Sequence, residues 1–600
     1  MHDPVLLEII KNAMATIAEE IGIVAVRSAY STAVKESADA SAAVCSSDGQ
    51  VIAQSLGAPL MHLSSLRWSP RELVKDFPLE SMKDGDVYLF NDQFRGGIHS
   101  NDIMVFKPVF SGGRPRFLTS ALIHVADLGG LSAGGLPATA TEYFHEGLML
   151  PPVKLYDGGQ LNEDLARIIS ANSRTPEKVM GDIRSMVSGT IVGAKRLQEL
   201  IDKYGLEQLE GLIRELIDYT ETLTREEIAN IPSGTYHGFY EIEEDGIVPD
   251  KTYTVRVAVT VDGSNCHFDF TGTDPQARGA INAAFSQSIS GVIYALRCFL
   301  EPSIPMNEGC FRPLTFTLPL GTMVNPKPPS ACNARMATVQ AAVDAVFQAL
   351  SQAVTRKAMA ASGNVHVYTM NGTNRETGKI WSYMDAAMGS VGARSIKDGL
   401  DGTPITLFGG NDRPSMEAYE IEYPVMFRRF RVWPDSGGPG KWRGGMGLHR
   451  EVTVLDDAEI TVRAADRCRI PPLGIMGGKQ GKGGGWVLNL GTSKQLDLPS
   501  KKTNQPLHAG DTLSMFISGG GGFGDPRERN PELVARDVEQ GMVSIEAAAR
   551  DYRVIVDPVS FNVDAQATAR LRKTPLRSID GAADSSKGAS NRKSGRGADA

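Results

Sequence analysis

The spacing of apolar and polar positions divides the chain into helical and extended stretches. Leu6, Ile9, Ala13, Ile17, Ile21 and Val24 recur at helical spacing, with Asp3 placed to cap the first turn and Pro4 suited to it. Between residues 34 and 130, short β-like runs at 51–53, 87–90 and 103–109 alternate with Gly and Asn turns. A second helix is predicted from about residue 206 to 228, burying Leu209, Leu212, Leu216, Tyr219 and Leu223, and the proline of IPSGTY stops it. From Tyr236 the period falls to two. Tyr253, Val255, Val257, Val259 and Val261 alternate with polar residues, Asp262-Gly263 marks a turn, and Cys266, Phe268 and Phe270 resume the alternation. A third helix follows Ala334-Arg335, with Val339, Val343, Val346 and Leu350 on one face. Residues 420–525, rich in glycine and β-branched side chains, read as strands and loops, and residues 544–552 as a short helix.

These elements predict an α+β, multidomain chain. Residues 1–230 form an N-terminal mixed α/β domain with a candidate metal site, and 231–420 a central β-rich domain with a hairpin and a helix. Residues 421–560 form a C-terminal glycine-rich β domain, and 561–600 a disordered tail. Past about residue 574 the chain is Ser, Gly, Ala, Lys and Arg, too poor in apolar surface to offset its ordering entropy.

Composition narrows the function. A 600-residue chain exceeds one ordinary core, and 62 basic against 70 acidic residues give a net charge of −8, which argues against a general nucleic-acid binder. Six cysteines without CxxC spacing read as reduced, buried thiols. With no secretory pattern and no apolar run of spanning length, the expected location is cytoplasmic.

The candidate chemistry lies in NDQFRGGIHSNDI (91–103) and IHVADLGG (123–130). His99 and Asp102 are three apart on one glycine-rich turn, His124 and Asp127 three apart on another, in a chain with ten histidines. Imidazole and carboxylate together suit Zn, Mn or Fe. The structural alternative is that Asp92, Asp102 and Asp127 cap turns while both histidines donate to backbone carbonyls. Two phosphate-loop look-alikes fail. GGGGFG (519–524) is followed at once by Asp525-Pro526 rather than a helix, and GGKQGKGGG (477–485) lacks the Walker spacing. The G-x-S-x-G element of serine hydrolases is absent, and neither Cys45 nor Cys332 has a base nearby in sequence.

The chain resembles the hydantoinase B / 5-oxoprolinase family, which includes the N-methylhydantoinase beta subunit and the metal-bearing subunit of acetone carboxylase. The resemblance rests on RSAYSTAVKESADASAAV, NDQFRGGIHSNDI, HVADLGG, EGLMLPPVKL, NSRTPEKVMGDIR, DFTGTDPQARGAIN, VNPKPPSACNAR, WPDSGGPGKWRGG, DRCRIPPLGIMGG and SGGGGFGDPRERNPELVARDVEQG, in that order. It implies an ATP-dependent enzyme split over two proteins. A hydantoinase A type partner binds ATP and phosphorylates a carbonyl; the B-type subunit then opens a cyclic amide or, in ketone carboxylases, joins an enol to carbon dioxide. It also implies a divalent metal held by Glu36, His99, Asp102 and His124, with Asp127 orienting a ligating histidine. Asp92 and Arg95, on the same loop as His99, are expected to meet substrate. Three family elements are altered here: ER-x-DFS reads ESADAS, HHADIGG reads HVADLGG and GGTHLPD reads GGIHSND. The leading expectation is therefore a beta-type subunit of a cyclic-amide hydrolase acting on 5-oxoproline, a hydantoin or a related lactam. The alternatives are a ketone carboxylase subunit and a non-catalytic scaffold for the A-type partner.

Overall fold

The computed structural model describes residues 3–573 apart from 56, 58, 404–414 and 465. It divides into two compact units, Met1–Arg529 and Asn530–Ala600.

The chain opens with α1 (Pro4–Arg27), whose first turn is capped by the Asp3 carboxylate accepting from Val5 N. Its buried face is Ile10, Met14, Ile17, Ala18, Ile21 and Ala25, while Ile9 is exposed. The expected stripe is thus turned by about one residue, towards the side where a later helix packs. After α2 (Thr32–Ser37) come β1 (Ala40–Ser46), β2 (Val51–Gln54) and α3 (Leu63–Asp76), then β3 (Val87–Phe90), β4 (Asp102–Ser111), β5 (Arg114–His124), β6 (Val153–Asp157) and β7 (Gln160–Leu161). These seven strands form one sheet in the order β2-β1-β5-β4-β3-β6-β7.

Next are α4 (Glu163–Ala171), α5 (Pro176–Tyr204) and α6 (Leu206–Ala229). One face of the sheet packs with α1, α5 and α6 through Ile21, Val105, Ile123 and Ile183, and the other with α3 through Cys45, Leu66, Phe90 and Phe106. Strands covered on both faces read as apolar runs, which is why β4 and β5 show little alternation. In α6, Leu209, Leu212 and Leu216 are buried as expected, whereas Tyr219 is exposed.

A four-stranded sheet follows, built from β8 (Gly234–Ile242), β9 (Tyr253–Asp262) and β10 (Asn265–Asp269), with β11 (Leu314–Thr317) added beyond α7 (Phe285–Arg297). Asp262 pairs with Asn265 across the predicted turn. The helix α8 (Met336–Ala353) carries Val339, Val343, Val346 and Leu350 into this core. Gly238 of β8 is where α8 approaches most closely, since a Cβ there would lie 1.9 Å from Ala345 O. Gly238→Ala should therefore lose about 1–3 kcal/mol of stability, read as a lower urea midpoint.

Two more sheets complete the first unit. One orders β12 (His366–Thr373), β13 (Ile380–Ala387), β16 (Ala458–Ala464) and β19 (Lys501–Leu507) as β13-β12-β16-β19. The other orders β14 (Val425–Val432), β15 (Leu448–Val454), β17 (Gly485–Leu488), β18 (Leu496–Leu498) and β20 (Thr512–Phe516) as β14-β15-β20-β17-β18. The glycine-rich stretches between these strands pack backbone on backbone. Gly438 N donates to Gly520 O (2.7 Å), Gly520 N donates to Gly445 O (2.9 Å), and a Cβ on Gly444 would sit 1.9 Å from Gly520 O. The glycines of GGGGFG are thus accounted for by close approach.

The second unit contains Pro531–Glu539, the predicted short helix as Ile545–Asp551, and a further helix Ala565–Lys573 with Thr568 buried. Residues 565–573, expected within the tail, are helical because Thr568 Oγ1 accepts from Ile555 N (3.0 Å) and ties them down. Residues 574–600 lie outside the described residues. No helix among the described residues is long and apolar enough to cross a membrane.

Candidate metal centre

Asp102 opens β4, His124 closes β5, and the two are direct partners in the antiparallel register. Pairing alone brings their side chains together on one face. His99 arrives from the preceding turn, where Gly96 has φ 90° and packs against Ser69 N, a position a side chain would block. Asp102 N donates to His99 O (2.9 Å) and closes that turn over the strand end.

The three side chains meet. His99 Nε2 lies 3.1 Å from Asp102 Oδ2, His124 Nδ1 lies 3.0 Å from Asp102 Oδ1, and the imidazole centroids are 4.9 Å apart. One donor atom from each residue falls within 4.8 Å of the others, and all three residues are buried. Asp102 Oδ2 is buried without a hydrogen-bond partner among the described residues. Two imidazoles and a carboxylate converging in a buried pocket are a donor set that fits a divalent first-row metal.

Electrostatics keep His99 and Asp102 in ligating form. Burial lowers His99 well below the ordinary histidine value, against the pull of Asp102, so its ring is neutral. Burial would raise the Asp102 carboxyl, but His99, His124 and Arg335 overcome it and hold the group far below the usual carboxylate range. Arg335 reaches in from the start of α8, with Nη2 3.5 Å from Asp102 Oδ2.

The other expected residues are placed differently. Glu36 lies in the last turn of α2 and is exposed, outside the cluster. Ala38 then takes a left-handed conformation (φ 51°) and turns the chain, so the carboxylate beside the cluster belongs to Asp39. Asp39 O accepts from His124 N (3.4 Å), and its buried Oδ1 lies 3.9 Å from His62 Nε2 without a hydrogen bond. His62 Nδ1 is bonded to Ser41 Oγ (2.6 Å).

Asp127 is fully spent on the loop that follows β5. It accepts from Gly129 N, Gly134 N, Arg174 N and Arg174 Nη1 at 2.8–3.1 Å, and has no bond to a histidine among the described residues. Asp92 caps its own turn by accepting from Phe94 N (2.9 Å). Arg95 is paired with Asp76 (2.6 Å) and Glu72 (3.6 Å) of α3. Substrate contact by Asp92 or Arg95 thus competes with bonds already made. Burial pushes the Cys45 and Cys332 thiols up, which leaves both protonated.

Beside the cluster stands a group that sequence reading passed over. Glu146, from EGLMLPPVKL, is fully buried; Oε1 accepts from Cys332 N and Asn333 N (both 2.7 Å), and Oε2 has no partner among the described residues. Arg463 Nη1 donates to Asn333 Oδ1 (2.9 Å) on the same loop. Burial raises Glu146 to about 8 despite these donors and the nearby arginines. The folded chain therefore holds a proton that the unfolded chain releases above its ordinary value of 4.5, so stability falls as pH rises between 4.5 and about 8. In Glu146→Gln that part of the fall should vanish, which urea midpoints measured across this range will show.

The chain belongs to the hydantoinase B/oxoprolinase family, whose pattern it matches over residues 3–526. It is 32% identical over 591 residues to the B-type subunit of a putative D-/L-hydantoinase from Pseudomonas sp. (strain NS671), covering 95% of this chain and 98% of that one. It is 30% identical over 565 residues to the beta subunit of the caprolactamase of Pseudomonas jessenii, covering 92% and 96%. The crystal structure of the ATP-dependent caprolactamase from Pseudomonas jessenii superposes with a TM-score of 0.89 at 28% identity, covering 96% of this chain and 100% of that chain.

Proposed function

We propose that this chain is the beta-type subunit of an ATP-dependent cyclic-amide hydrolase, acting on 5-oxoproline, a hydantoin or a related lactam primed by an A-type partner. The observation that carries the reading is the buried convergence of His99, Asp102 and His124, in a family where relatives are named caprolactamase and hydantoinase. The glycine-rich stretches packed between strands offer no phosphate loop, which fits a division of labour in which the partner holds ATP.

An amide is a poor electrophile, and phosphorylation of its oxygen by the partner makes the ring carbon reactive. Water adds to that carbon, the C–N bond breaks with the ring nitrogen leaving as a protonated amine, and a second water releases phosphate. His99, Asp102 and His124 would hold a divalent metal, which supplies Lewis acidity and lowers the pKa of water. Arg335, buried beside Asp102, places a fixed positive charge where anionic phosphate must be accommodated. His62, kept neutral by burial and oriented by Ser41, is placed to accept a proton at Nε2, with Asp39 facing the cation that results. The walls exclude bulk water, since every ligand is buried.

The test joins the purified chain to its A-type partner with ATP and a panel of 5-oxoproline, N-methylhydantoin and caprolactam. Ring-opened amino acid formed together with ADP is expected for at least one of them. ATP turnover that requires a ketone and bicarbonate instead would replace this reading with a carboxylase.

A further inference from the structure

A second concave site lies away from the imidazole–carboxylate cluster. It is a cavity of about 1040 Å³ bounded by α1, β2, the end of α7 and the loops at 300–307 and 394–397. Its floor is apolar, with Ile52, Leu60, Leu63, Leu216, Ile304 and Met306. Its charged lining is one-sided: Lys11, Arg297, Arg356, Lys357, Arg394 and Lys397 line it beside neutral polar residues such as Asn12 and Gln54, and no Asp or Glu among the described residues does, although Lys11 is paired with Glu8 outside the lining (2.6 Å). In a chain of net charge −8, six cations without one lining anion is a local inversion of the overall balance.

Several of these cations retain unused capacity. Arg297 Nη2 donates to Ile304 O (2.8 Å) and Arg394 Nη2 to Asp398 O (3.3 Å), so both side chains are held in place. Arg297 Nη1 and Arg394 Nε, however, are buried without a hydrogen-bond partner among the described residues. Such donors cost free energy unless something accepts from them. At the rim, Arg356 and Lys397 are exposed, and neither forms an ion pair among the described residues.

We propose that this cavity binds an amphipathic organic anion, with a phosphate or carboxylate head held by Arg297 and Arg394 and an apolar body on the Leu60–Leu63 side. A positively charged ligand end is disfavoured, because no lining carboxylate would receive it. The proposal goes beyond the hydrolase reading and does not depend on it.

Cys298 provides a native reporter, because it lines the cavity and is exposed, whereas Cys45, Cys266, Cys310 and Cys332 are buried. Calorimetry on the full chain would compare hexyl phosphate, hexanoate, 6-aminohexanoate and 1-hexanol, while mass spectrometry follows iodoacetamide labelling of Cys298. At least one of the two anions should bind one per chain, slow Cys298 labelling about tenfold at saturation, and bind about tenfold more tightly than hexanol or the zwitterion. Preference for hexyl phosphate assigns a phosphate ester, and preference for hexanoate a carboxylic acid. Arg356→Glu/Lys397→Glu, at exposed positions, should weaken the anion about tenfold with an unchanged urea midpoint. Anion binding no tighter than hexanol, binding without protection of Cys298, or affinity indifferent to the charge reversal would overturn the proposal.

Discussion

Asparagine at position 102 is expected to empty the candidate metal centre while leaving the fold in place. Asp102→Asn keeps the shape of the side chain and its β4 register with His124, but removes the negative charge that two imidazoles and Arg335 surround. The new amide nitrogen is a donor facing ring nitrogens, where the carboxylate offered lone pairs to a cation. Loss of a partner outside the ligand set typically costs 10–100-fold in metal affinity. Loss of the one charged ligand should exceed about 100-fold, with cyclic-amide turnover falling at least as far. Metal content after dialysis and ring-opening rate with the A-type partner check this. The urea midpoint should fall as well, because the buried Arg335 loses the carboxylate it faces; circular dichroism, expected to keep its wild-type shape, separates the loss of metal from misfolding.

Methionine at position 467 should do the reverse, leaving the ligand set untouched and undermining the frame. Arg467 is fully buried, lies over the Tyr240 ring at 3.8 Å, pairs with Asp344 of α8 and sits 3.5 Å from Asp466 Oδ2. It is the cation facing two acids that burial raises, Asp344 to about 6 and Asp466 to about 7 even against its pull. Removing one partner from a buried ion network leaves charge unpaired and costs about 3–5 kcal/mol. Arg467→Met should therefore lower the urea midpoint sharply. Asp344→Asn added to it should recover part of the loss, because the stranded charge goes too.

Local signals in the sequence were legible and tertiary ones were not. The turn at Asp262-Gly263 and the alternation on both sides of it are short-range, and the hairpin formed in that register. His99, Asp102 and His124 lie within 26 positions on one hairpin and its leading turn, so the cluster could be read from spacing. Asp39, His62, Glu146 and Arg335 reach the same region from separate elements, and no periodicity connects them. Glu36 stood out through its family motif, but the left-handed turn at Ala38 directs the neighbouring Asp39 to the site instead. The long helix α5 was not among the expected elements, although Val179, Ile183, Met186, Leu197 and Ile201 recur at helical spacing around Gly181, Gly189 and Gly193. Those glycines are its contact points, with Cβ atoms at 189 and 193 set to meet Ile21 of α1 at 2.6 and 2.4 Å. The same close contacts fix which face of α1 is buried, and so explain why Ile9 lies outside.

The most direct measurement is anomalous diffraction from crystals of the full chain, taken at the absorption edge of whichever metal copurifies with it. One ion in contact with His99, Asp102 and His124 is expected. An ion bound elsewhere, or a metal-free chain that supports full lactam turnover with its partner, would contradict it.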